Sequence, residues 1–345
     1  MPFSNFHGNA EIVQRLREML ARDHLPHAVV LAGGEGAGKY TLALMLAQAM
    51  NCLNPPKAGL PDFCGQCANC TRIAQSADLG GRFAEAVEAR ESLRETDKKE
   101  TRIFVQTHPD VLVIPPDPPQ MMIKVDQVRR VIESIYYRPA EGRERVYIFT
   151  DSAFMKEAAN SLLKVLEEPP EFATIFLLTE NPGELLPTIR SRSMVFMLAA
   201  LSADEIERDL GKFHPDWKPA QRALVARLCE GCVGRARSFD LAGYTASRDH
   251  AMAILKSALR GGEHSELFKI TESYRPGAEG REKTEQLIRT LYSLLRDLAF
   301  IQSGAADFDW ITAASDRLAE VERGMRRNLL RSLSLDAFAA ALEKA

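Results

Sequence analysis

Short apolar runs rich in β-branched and aromatic residues recur along the first 200 residues: AVVL at 28–31, VLVI at 111–114, VYIF at 146–149, TIFLL at 174–178 and MVF at 194–196. Between them the apolar residues fall three and four apart. In KVDQVRRVIESI, Val128, Val131, Ile132 and Ile135 share one helical face, with Asp126 as the expected N-cap. Strands alternating with helices predict an α/β domain built on a parallel sheet. The pattern changes after residue 200. SADE, opening at Ser202, is a capping box, and the chain then reads as helical to its end. In REKTEQLIRTLYSLLRDLAFIQSG the residues Leu287, Ile288, Leu291, Leu294, Leu295 and Leu298 form a core stripe at helical spacing. Weak breaks near Gly243 and at Gly261 and Gly262 predict three domains: α/β over 1–200, small and helical over 201–243, a helical bundle over 244–345.

One stretch lacks this patterning. Residues 82–102, RFAEAVEARESLRETDKKETR, carry both charge signs densely and few apolar anchors. The expectation is a solvated helix steadied by pairs such as Glu95 with Lys99, ahead of a partner-binding role.

Composition adds limits. The 345 residues exceed one compact core, and 46% hydrophobic with 26% charged residues is ordinary globular usage. A net charge of -3 weighs against a chain that grips nucleic acid alone through a basic surface. No apolar run approaches a membrane span and MPFSNFHGNAEIV has no signal pattern, so a cytoplasmic location with no membrane partner is expected.

The six cysteines divide four and two. Cys52, Cys64, Cys67 and Cys70 stand in a C-x11-C-x2-C-x2-C arrangement, a full tetrahedral set of thiolates with no position left for a reacting water. Structural Zn²⁺ is the expected occupant. An iron–sulfur cluster is the lesser alternative, because the ferredoxin-type run wants another cysteine where Ala74 stands, and four unligated thiols are the third. Cys229 and Cys232, a lone pair in ALVARLCEGCVGRA, read as buried free thiols.

LAGGEGAGKYTLAL, at 31–44, is almost a nucleotide-binding loop. Gly33, Gly36 and Gly38 let backbone N–H groups wrap a phosphate where a helix begins, and Lys39 is placed to reach the β and γ phosphates. A Ser or Thr should follow on Mg²⁺. Tyr40 stands there instead, its hydroxyl at the far end of a rigid ring, and Thr41 is turned by about 100° along the helix. After RVYIF a hydrolase of this type presents Asp-Glu, one carboxylate towards the metal, whereas this chain has Thr150 and Asp151. Both departures strike the same metal chemistry, so hydrolysis is not expected here, and the loop is left with two alternatives: ATP or ADP held without hydrolysis, or an empty site.

EAANSLLKVLEEPPEFATIFLLTENPGELLPTIRSRSMVF, together with THPDVLVI and IKVDQVRRVIE, resembles the bacterial DNA polymerase III clamp-loader subunits, the delta-prime type above all. The resemblance covers about the first 240 residues well, and the loop, the cysteines, NSLLKVLEEPP and RSRS occur in family order. It implies an AAA+ fold: an α/β nucleotide-binding domain, a helical lid, and a collar joining subunits into a ring. It further implies that Ser191, Arg192 and Ser193 occupy the Ser-Arg-Cys motif, whose arginine completes a neighbour's ATP site. Thr179 matches the polar group that senses the γ-phosphate, and Gly234 falls where active subunits carry a lid arginine, with Arg235 next to it.

These correspondences imply a stator with no catalysis of its own. Its partners would be the delta subunit and the gamma or tau motors of a hetero-pentameric ring, acting through the assembly on the sliding clamp and primed DNA. The alternative is an active gamma/tau-type ATPase. A free phosphate-transfer enzyme needs an intact metal site, and a DNA-binding zinc protein needs more basic residues near the cysteines than Arg72.

Overall fold

The computed structural model describes residues 2–260, 274, 278–301, 307–326 and 331–342. The chain packs as two compact units, Met1–Phe239 and Asp240–Ala345.

The first unit is built on strands β1 (Ala28–Ala32), β2 (Val105–His108), β3 (Val111–Ile114), β4 (Arg145–Phe149), β5 (Ala173–Thr179) and β6 (Met194–Met197), in the order β2-β3-β4-β5-β1-β6. All neighbouring pairs are parallel except β2 with β3. Because both faces are covered, the strands are continuously apolar, and their alternate residues feed two separate cores. Val29, Leu31, Ile148, Phe176 and Leu178 pack beneath α1 (Ala10–Ala21) and α2 (Lys39–Asn51). Val30, Ile114, Phe149 and Leu177 point the other way. The sequence pattern anticipates every strand except β2, whose VQTH alternates too briefly to register before a His-Pro turn.

Around the cysteines lie α3 (Ala68–Ala74) and α4 (Leu79–Glu91), followed by α5 (Glu95–Glu100). On the opposite face lie α6 (Val125–Ile135), α7 (Lys156–Glu167) and the single turn α8 (Pro187–Arg190). Val128, Val131 and Ile135 are buried and Ile132 partly so, as the helical spacing predicts. The cap differs from expectation. Lys124, in extended backbone, is the N-cap, and the Gln127 side chain accepts its N–H at 2.9 Å, leaving Asp126 inside the first turn to pair with Arg102 and Arg129. A short helical array closes the unit: α9 (Ala203–Phe213), α10 (Pro219–Leu228) and α11 (Val233–Arg237). Here the predicted capping box is present, with Ser202 Oγ accepting from Glu205 N and Glu205 accepting from Ser202 N.

The charge-dense stretch is not one solvated helix. It breaks between α4 and α5, Lys98 bridges Glu91 and Glu95, and Arg90 is buried with its guanidinium on Asp117 at 3.1 and 3.2 Å. The Lys99 side chain lies outside the described residues. Asp117 also accepts the Ile103 N–H at 3.0 Å. Removing one partner of such a pair leaves an uncompensated buried charge. Asp117→Ala is therefore expected to cost about 3–5 kcal/mol in urea unfolding, with Asp117→Asn milder because it still accepts both bonds. A wild-type unfolding midpoint for Asp117→Ala would show that Arg90 simply swings into water.

The second unit comprises α12 (Leu241–Arg260), α13 (Ala278–Ile301), α14 (Phe308–Arg326) and α15 (Arg331–Leu342). Its core gathers Leu287, Leu291, Leu295, Trp310, Leu318 and Phe338, with Ile288 buried beside them and Leu294 and Leu298 at the margin. The break expected at Gly261 and Gly262 lies outside the described residues. Among the described residues no helix is long and apolar enough to cross a membrane.

Candidate functional site: a phosphate loop, a cysteine cluster and an exposed arginine

In a parallel sheet the carboxyl ends of the strands form the ligand-binding edge. Three of the singled-out positions meet there: the loop after β1, Thr150 and Asp151 after β4, and Thr179 at the end of β5. Gly33 N–H donates to Thr179 O at 3.2 Å, tying loop to strand. Gly36 and Gly38 have φ of +80° and +90°, a backbone region that side chains disfavour, and Gly38 is the N-cap of α2. The loop therefore turns into the N-terminus of α2 through two glycines in the left-handed region. Lys39 Nζ donates to the loop's own Gly33 O and Gly34 O at 2.5 and 3.0 Å. Burial lowers its pKa, opposed by the nearby Glu180, Cys232, Glu35 and Asp151.

Tyr40 leaves the loop. Its hydroxyl donates to Ser76 O at 2.7 Å, beside the cysteine module, and burial pushes the phenol pKa up. Thr41 is exposed. Asp151 accepts the Ala153 N–H at 2.8 Å, and the buried Thr179 hydroxyl lies 2.9 Å from both Ser152 Oγ and Asn181 O. Ser152 in turn donates to Glu184 at 2.9 Å.

Helix α11 touches the loop directly, which sequence reasoning missed. Gly234 N–H donates to Gly36 O at 2.8 Å. A Cβ on Gly234 would stand 2.8 Å from that oxygen, and one on Gly36 would stand 2.7 Å from Arg235 N, so only a glycine at both positions allows this approach. Cys232 is packed against the same loop, its Sγ 3.0 Å from where a Cβ on Gly34 would lie. Cys229 and Cys232 are buried free thiols, Cys229 pushed up to about 11 by burial.

The other four cysteines converge. Their sulfurs all lie within 4.8 Å of one another. Tetrahedral Zn–S bonds of about 2.3 Å require sulfurs roughly 3.8 Å apart, so the set can hold such an ion with small adjustments. Backbone donors favour thiolates at part of the set: Cys64 N–H donates to Cys52 Sγ and Cys67 N–H to Cys64 Sγ, both at 3.3 Å, with Gly65 turning between them at φ +70°, while burial by itself raises the pKa of Cys52 and Cys70. Burial would raise the Cys67 pKa, but backbone N–H groups at Cys70 and Leu53 and the neighbouring thiols outweigh it and bring it to about 6. The cluster is fastened to the core. Gln48 donates to Cys70 O, and Arg17 donates to Leu60 O and Pro61 O, each at 2.9 Å.

Arg192 lies elsewhere, on the turn after α8. It is exposed, with Nη2 on Glu167 Oε1 at 2.8 Å and Nη1 donating to Thr188 O at 3.0 Å. Among the described residues its partners are Thr188, Ser191 and Glu167, none of them in the loop after β1.

A family model described as DNA polymerase III, delta subunit, matches residues 8–202, more than half of the chain. The chain belongs to this clamp-loader family. Two relatives are similar over most of the chain: the DNA polymerase III subunit tau of Escherichia coli is 26% identical over 94% of it, and the subunit delta' of Bacillus subtilis is 26% identical over 86% of it. The chain spans about half the length of the tau relative (47%) and 78% of the delta' relative. A solved gamma subunit-related protein from Thermotoga maritima superposes with a TM-score of 0.51 at 19% identity, covering 95% of this chain and 99% of that one, which shows a shared fold.

Proposed function

We propose that this clamp-loader family member is a delta-prime-type stator: a subunit that keeps the ATPase scaffold, has lost its metal chemistry, and lends Arg192 to a neighbouring motor. In this reading 1–200 is the AAA+ nucleotide-binding-like domain, 201–243 the lid and 244–345 the collar. The partners are the delta subunit and gamma or tau subunits of a hetero-pentameric ring in the bacterial cytoplasm. The ring opens the sliding clamp and closes it on primer-template DNA.

The observation that carries the reading is Tyr40. Its hydroxyl is spent on Ser76 O, so the position that should anchor Mg²⁺ offers the loop no oxygen. Thr150 in place of the metal-side Asp, and Gly234 bonded to Gly36 where an active lid brings an arginine, support the same loss. The glycines and Lys39 remain fit to hold ATP or ADP, provided Lys39 leaves the two carbonyls it now binds. Zn²⁺ is the metal proposed for Cys52, Cys64, Cys67 and Cys70. Bound there it supplies structural cross-linking and no catalysis, because all four positions belong to protein.

A second reading, an active gamma/tau-type motor, draws on the likeness to tau over 94% of the chain. The two part in one experiment, ATP turnover by the loader reconstituted with delta and motor subunits. A stator gives a large loss with Arg192→Ala and none with Lys39→Ala in this chain. A motor gives a loss with Lys39→Ala.

A further inference from the structure

Arg192 is aimed by a residue from another element. Glu167 is the last residue of α7 and receives Nη2 of Arg192 at 2.8 Å, across 25 positions of sequence. The two side chains are carried by fixed backbones. Leu162, Val165 and Leu166 of α7 and Ile189 of α8 are buried in the same core. Nη1 is meanwhile held by Thr188 O at 3.0 Å and, more loosely, by Ser191 Oγ at 3.4 Å. An exposed arginine has many rotamers, and this one is gripped at both terminal nitrogens.

The position of Glu167 is poor for helix stability. A carboxylate at the C-terminus of a helix faces the negative end of its dipole. Glu168 adds a second beside it, and Lys164 is the one basic residue in that last turn. The gain from a charge here lies in its partner, not in α7.

We propose that Glu167 is the positioning residue of Arg192, holding the guanidinium outward for the phosphates of a neighbouring subunit's nucleotide. This rests on the reading of Arg192 as a donor in trans. A guanidinium has five N–H donors. Thr188, Ser191 and Glu167 take at most three, so at least two remain for phosphoryl oxygens without releasing the carboxylate. Glu167 thus lowers the orientational freedom to be lost when the interface forms, and it touches no reacting atom itself.

The test is ATP hydrolysis by the reconstituted loader carrying Glu167→Ala, Glu167→Gln, Arg192→Ala or the double substitution, with assembly of each ring verified by gel filtration. Glu167→Ala is expected to lower kcat about three- to tenfold with KM for ATP unchanged, the scale of a misoriented but intact catalytic group. Glu167→Gln should recover part of that loss, since its amide oxygen still accepts the bond. In the Arg192→Ala background, Glu167→Ala should add nothing, because its effect runs through the arginine. Wild-type or raised turnover with Glu167→Ala overturns the inference, a raised rate meaning that the carboxylate competes with phosphate. A further loss on top of Arg192→Ala also overturns it, as general structural damage. If Arg192→Ala itself leaves turnover intact, the reading of Arg192 as a donor in trans fails first, and this inference with it.

Discussion

Arg192→Ala should lower ATP hydrolysis at the adjoining motor site by about 10³-fold or more, the scale on which arginine fingers act. The magnitude follows from what the residue can do for a phosphoryl group in flight. Its charge is permanent, and its planar fork reaches two oxygens at once as negative charge spreads over them. The side chain is exposed and paired with Glu167, so alanine truncation should leave this fold intact. Arg192→Lys should rescue little, since an ammonium supplies charge without the fork. Single-turnover kinetics give the cleanest measurement. If motor sites fire in sequence, one silent site stalls the ring; if they fire independently, only that site's share of the burst disappears. Lys39→Ala as a single substitution in this chain serves as the control, because on the stator reading its own loop turns over no ATP. Full turnover with Arg192→Ala and a collapse with Lys39→Ala would identify this chain as a motor and defeat the stator reading.

What the sequence discloses about this molecule depends on range. The parallel strands, the phosphate loop, the Ser202 cap and the four-cysteine set are local signals, each read from spacing within a few tens of residues, and all are present in the fold. Contacts chosen by tertiary packing left no such trace. Arg90 sits in a segment whose charge density looks solvated, yet it is buried on Asp117. The resemblance marks Gly234 as the place of a lid arginine, but nothing in the sequence discloses its backbone bond to Gly36, 198 positions away. Tyr40 is legible as a missing Mg²⁺ ligand, but its positive role, a bond to Ser76 at the end of the cysteine module, is not. The N-cap expected at Asp126 falls on Lys124 for a smaller reason: the Gln127 side chain reaches back to the Lys124 N–H, which the preference for Asp at caps does not foretell.

That bond from Tyr40 makes the cysteine cluster matter to the loop, and it sets the second large expectation. The protein should retain one zinc per chain, and Cys70→Ser should lose it. Cys70 is fully buried in α3, so serine there forfeits a candidate ligand and buries a hydroxyl together. Structural zinc in small domains is worth about 10–16 kcal/mol of binding free energy at neutral pH. Only part of that should appear as lost global stability here. The sheet and α2 have their own core, and the failure should stay local, within α3 and the loop at 53–63 that Arg17 pins. Limited proteolysis should therefore cut Cys70→Ser, or chelator-treated wild type, inside 52–70 while the sheet stays protected. Once α3 loosens, Ser76 no longer offers Tyr40 a fixed carbonyl, so amide exchange at the start of α2 should also quicken. Zinc content measured by mass spectrometry decides the premise, and visible charge-transfer absorbance would instead reveal an iron–sulfur cluster. A metal-free chain whose cleavage and exchange match those of Cys70→Ser would mean four reduced thiols that merely lie together, with Tyr40 anchored by packing alone.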